Sequence, residues 1–63
     1  MYAITITLPK SRTTLFRTPK GTWVGSLLSG SAEKFLHMAD AHRKIRDLGT
    51  RHPDGFNYEI ADV

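Results

Sequence analysis

The side chains that could make or break bonds in this sequence are three histidines, a run of loop serines and a few carboxylates. His37 and His42 stand five apart, which on a helix turns them well over ~100° from a common face. His52 lies in a separate turn, and there is no cysteine to complete a zinc site. Ser26, Ser29 and Ser31 lack the sharp strand-turn-helix elbow that activates a nucleophilic serine. They read as loop and capping residues. Asp40, Asp47 and Glu59 each stand where a solvated partner for a nearby base is expected, and 63 residues leave little room for a desolvated pocket. No catalytic residue, metal or cofactor is expected, and the chain does not read as an enzyme. "GSLLSGS" before a helix matches neither phosphate-binding fingerprint, so it reads as a plain loop.

The remaining chemistry is charge. "LPKSRTTLFRTPKGTW" carries Lys10, Arg12, Arg17 and Lys20 with Phe16 and Trp23 among them and no acid. Residues 1–30 hold four Lys/Arg and no Asp/Glu, whereas residues 31–63 hold five against six. The positive field therefore belongs to the N-terminal half. Cations interleaved with aromatics suit phosphate backbones and stacked bases. They equally suit an acidic protein surface, where Arg and Trp are favoured anchors. A third reading is structural: Trp23 and one of Leu15 or Phe16 are core, and the charges keep an edge strand soluble. Leu15 and Phe16 point to opposite sides of a strand, so one of them is expected outward beside the charges. That favours a contact face made of Lys10, Arg12, Phe16, Arg17, Lys20 and Trp23.

Length sets the frame for these residues. A chain this short is a single domain, residues 1–63, near the lower limit for folding on a hydrophobic core alone. Without cysteine it has no disulfides and fits a reducing cytoplasm. Its apolar runs fall far short of a membrane span, and no signal-peptide layout opens it.

The elements follow from periodicity. "YAITITL" alternates, with Tyr2, Ile4, Ile6 and Leu8 on one face and Ala3, Thr5 and Thr7 on the other, predicting a half-buried strand. "TTLFRT" and "TWV" predict a hairpin across residues 12–24 whose tip is Pro19, Lys20 and Gly21. From about Ala32 or His37 to Leu48, the spacing of Phe35, Met38, Ala41, Ile45 and Leu48 predicts an amphipathic helix, capped by Ser29 or Ser31 and stopped at Gly49. "HPDG" predicts a turn, and "FNYEIADV" a closing strand with Phe56, Tyr58 and Ile60 on one side.

The order is β-β-β-α-β. It predicts an α+β fold: a small antiparallel sheet of three to four strands with one amphipathic helix packed on one face. The first and last strands, with the strongest alternation, are expected to pair near the middle. The expected core is Tyr2, Ile4, Ile6, Leu8, Trp23, Phe35, Met38, Ile45, Leu48, Phe56, Tyr58 and Ile60.

The pattern of Tyr2, Ile4 and Ile6, then Gly21 and Trp23, then Ala32 and Phe35, Ala41 in the helix, and Phe56, Tyr58, Ile60 and Val63 at the end resembles a class of very small bacteriophage and prophage accessory proteins. The resemblance runs over nearly the whole chain on core and turn positions, and supplies no site residues. It implies a modulator that binds a bacterial host protein, as anti-CRISPR proteins, restriction inhibitors and polymerase inhibitors do. Several such inhibitors mimic DNA with acidic surfaces, and this basic chain departs from that pattern. The resulting expectation is a non-enzymatic inhibitor in the bacterial cytoplasm that blocks a defence complex, a CRISPR effector first, by occlusion. The alternatives are a small basic module that contacts DNA or RNA directly, and a structural or dimerising phage protein.

Overall fold

A computed structural model of the chain describes residues 1–49 and 55–63. The "HPDG" turn and His52 lie outside the described residues. Four strands, β1 (Tyr2–Thr7), β2 (Thr14–Arg17), β3 (Trp23–Val24) and β4 (Glu59–Asp62), form one antiparallel sheet in the order β3-β2-β1-β4. A 3₁₀ segment, Ser26–Ser31, and the helix α1, Met38–Leu48, fall between β3 and β4. The α+β class and the packed helix are as the periodicity predicts, and α1 lies against β1 and β4.

β1 is rich in β-branched residues that suit a pleated, buried surface. It pairs with β4 through Ala3–Ala61 and Ile4–Ile60, and with β2 through Thr5–Phe16 and Ile6–Leu15. The expected β1–β4 pair is present. β4, however, is an edge strand, because the β2–β3 hairpin extends the sheet on the other side only.

Directly opposed residues share a face. Ile4, Ile6, Leu15, Arg17, Trp23 and Ile60 therefore occupy one face, and Ala3, Thr5, Phe16, Val24 and Ala61 the other. The expectation of a half-buried strand is corrected here. Ala3, Ile4, Thr5 and Ile6 are 0–3% exposed, so β1 is covered on both faces. Leu15 and Phe16 are both half-buried, and neither points freely into solvent.

Two turns set the ends of β2. The four residues after Leu8 are closed by Leu8 N–H donating to Thr13 O (2.8 Å) and Arg12 N–H donating to Leu8 O (2.7 Å). Arg12 takes φ +56°, a left-handed conformation that costs an L-residue about 1–2 kcal/mol. At the other end Thr18 N–H donates to Thr22 O and Gly21 N–H to Thr18 O, both at 2.9 Å. Gly21 at φ +90° supplies the left-handed residue this hairpin needs, with Pro19 and Lys20 at the tip.

The helix begins at Met38, and neither Ser29 nor Ser31 caps it. Residues 33–35 are drawn into extended pairing instead. Phe35 and Tyr2 exchange backbone hydrogen bonds at 2.8 Å, and Glu33 N–H donates to Arg17 O at 2.9 Å. His37 takes the N-cap position with no side-chain hydrogen bond. At the far end Gly49, φ +100°, closes the helix as expected by donating to the carbonyls of Ile45 and Arg46.

Ala41 is the fully buried helical residue, with Ile45 and Leu48 half-buried beside it. Met38, expected in the core, is 46% exposed. Small side chains thus fill the tightest places: Ala3, Thr5, Ala32 and Ala41 are core residues that the large-apolar pattern passes over.

Candidate binding surface

The six residues proposed from sequence as one contact face are dispersed by the fold. Lys10 and Arg12 sit in the β1–β2 loop. Lys20 sits at the β2–β3 tip, beyond the other end of β2. The extended stretch from Thr13 to Thr18 spans on the order of 17 Å. Phe16 lies on the opposite sheet face from Arg17 and Trp23 by register.

Arg17 is drawn inward. Its Nη1 donates to Glu33 Oε2 at 3.2 Å and to Thr18 O at 3.4 Å, and its side chain is 12% exposed against 25% for Glu33. A guanidinium held this way organises the junction between β2 and residues 33–35. Trp23 is half-buried and stacks on Tyr58, with ring centroids 6.0 Å apart and planes 20° from parallel. Within the proposed face, Lys10, Arg12 and Lys20 remain exposed cations that make no ion pair among the described residues.

The exposed apolar residues are elsewhere, and the sequence pattern did not single them out as a site. Leu27 is 98% exposed and Leu28 59%, both on the 3₁₀ segment, and Leu36, just before α1, is 68% exposed. That segment packs against β2 and β3. Its last residue, Ser31, joins Thr18, Pro19, Lys20, Thr22 and Val24 around an open groove of about 400 Å³ at the hairpin tip. The Thr18 and Thr22 hydroxyls bond each other at 2.6 Å, and Thr22 N–H donates to Thr18 Oγ1 at 3.2 Å, which fixes one wall of the groove. Lys34 Nζ donates to Ser29 O at 3.3 Å, placing a second cation against the 3₁₀ segment. Two adjacent leucines in a serine- and glycine-rich loop are the signal the sequence offers for them.

Other chemistry is sparse among the described residues. No group of three His, Cys, Asp or Glu side chains converges to hold a metal ion, and no helix is long and apolar enough to cross a membrane. Asp40 pairs loosely with Arg43 at 3.9 Å on the exposed helix face. Comparison of the chain with protein-family models, curated proteins and solved structures gave no match.

Proposed function

We propose that this protein is a non-enzymatic inhibitor that binds a bacterial defence complex, a CRISPR effector first, and blocks it by occupying a nucleic-acid or subunit site. Binding as the mode of action is carried by one observation: Leu27, 98% exposed, on the half of the chain that has no acidic residue among its first 30. A domain this small has few large apolar side chains to spare, and a leucine left fully in water offers a partner ~1.5–3 kcal/mol of burial. The choice of a defence complex rests on the resemblance to phage accessory proteins. Occlusion is the mode that goes with a binding role, since a protein that only binds acts by occupancy or by holding a conformation.

The test is phage challenge of bacteria that carry an active CRISPR system and express this chain. Restored plaquing by a targeted phage, with capture of the effector by the tagged chain after nuclease treatment, is the expected result. Unchanged immunity across the effector types would remove the inhibitor reading.

A second reading, a small nucleic-acid-binding module, is favoured by Lys10 and Arg12, exposed together on one loop. Capture that disappears with nuclease would select it.

A further inference from the structure

The groove at the hairpin tip and the two exposed leucines share one short element and one sign of charge. The groove is lined by the apolar Pro19 and Val24, the hydroxyl-bearing Thr18, Thr22 and Ser31, and one cation, Lys20. Lys34 is held against the same 3₁₀ segment. The nearest acid in sequence, Glu33, is engaged by Arg17 and cancels neither lysine. Leu27 and Leu28 stand exposed on the same 3₁₀ segment whose last residue, Ser31, lines the groove.

We propose that this surface docks an acidic segment of a partner protein whose carboxylate enters the groove and whose apolar side chains cover Leu27 and Leu28. This rests on the binding role proposed above and names the partner chemistry for it. A Glu or Asp side chain brings an apolar stem for Val24 and an anion for Lys20 and the Ser31 hydroxyl, the Thr22 hydroxyl being already bonded to that of Thr18. Adjacent Leu-, Phe- or Trp-type residues cover the leucines. Complementary charge would steer the encounter and the apolar anchors would hold it. Nucleic acid fits this surface less well. Leucine offers no stacking plane, and the Trp23 and Tyr58 rings stack on each other instead.

The experiment is selection of random short peptides displayed on particles against the full-length chain. Enriched peptides are then measured against the wild type, Lys20→Glu, Leu27→Ser/Leu28→Ser and Lys10→Glu/Arg12→Glu. All three variants alter exposed side chains, and a nitrogen–proton correlation spectrum checks that each keeps the fold. We expect peptides with Asp or Glu beside large apolar residues. Their affinity should fall about tenfold or more in Lys20→Glu and in Leu27→Ser/Leu28→Ser, and stay within about twofold in Lys10→Glu/Arg12→Glu.

Enrichment of basic peptides, absence of enrichment, or acidic peptides indifferent to Lys20, Leu27 and Leu28 would overturn the proposal. So would concentration-dependent self-association that is lost on changing the leucines, because the occupant would then be a second copy. The same variants in the phage challenge separate the two levels of inference. Protection that survives all of them removes this surface and leaves the inhibitor. A wild type that gives no protection removes the inhibitor, whatever the peptides do.

Discussion

Arg17 and Glu33 are held together across the junction between β2 and the segment that pairs with Tyr2, with Nη1 3.2 Å from Oε2 and neither side chain more than a quarter exposed. The pair ties the basic half of the chain to the mixed half. Arg17 therefore belongs to the fold before it belongs to any partner. Arg17→Glu would set two carboxylates face to face and should lower stability by about 2–3 kcal/mol in urea unfolding. Arg17→Glu/Glu33→Arg should recover most of that loss. A single charge reversal at Arg17 with an unchanged unfolding midpoint would show that the pair contributes nothing. Lys20 is the clean position for a charge test of binding, because its reversal touches no ion pair among the described residues.

The Trp23–Tyr58 stack should appear as an energetic coupling. A double-mutant cycle with Trp23→Leu and Tyr58→Leu is expected to return about 0.5–1.5 kcal/mol beyond the separate costs. Trp23 is the sole tryptophan, so its emission reports the same contact. Additive costs together with unaltered emission in Tyr58→Leu would mean the rings do not meet in solution.

Arg12 carries backbone strain that glycine would not. Arg12→Gly should raise stability by about 0.5–1 kcal/mol, while Arg12→Ala, which keeps the left-handed penalty, should leave it close to wild type. Equal unfolding midpoints for glycine and alanine would show that the loop relaxes out of φ +56°.

The dispersal of the cations limits any nucleic-acid affinity. Lys10 and Arg12 reach one stretch of phosphates and Lys20 another, so duplex DNA should bind weakly, with a log-log salt slope no steeper than about −2. A slope of about −4 would require the whole basic set to engage at once, in an arrangement other than this fold.

Self-pairing through the sheet edge should be weak. β4 carries Glu59 and Asp62 in four residues, and aligning two such edges gathers four carboxylates along one short seam. Sedimentation across a concentration series should show a monomer, and Glu59→Thr/Asp62→Thr should associate more readily. A wild-type dimer insensitive to that substitution would place self-contact elsewhere.

Much of the architecture was legible because alternation and helical spacing are local signals. Tyr2, Ile4 and Ile6 mark β1, Ala41, Ile45 and Leu48 mark the inner side of α1, and Gly21 and Gly49 mark their turns. The positions that escaped depend on where distant parts of the chain arrive. Ala3 and Thr5 are small enough for either an open or a covered face, and only the assembled fold decides between them. Phe35 fits the helical stripe by spacing, yet pairs with Tyr2 because the end of β1 offers unmatched backbone groups. The candidate surface escaped for the same reason. Arg17 looks free until Glu33 comes back to it, and Leu27 looks like any loop leucine until nothing covers it.

Placing the first strand at the centre of the sheet also sets how the chain must fold. β1 is made well before β4, one of its two neighbours, and Ile4 meets Ile60 only when that strand has emerged. Until then the apolar core of β1 has one flank unpaired, and pairing it closes a loop of nearly the whole chain. Folding is therefore expected to be slow for so small a domain, on the order of milliseconds or longer, with β1, β2 and β3 able to form a meander before β4 docks. In that interval the exposed flank of β1 is the surface most open to mispairing, and the acids on β4 guard the edge only after the sheet is complete.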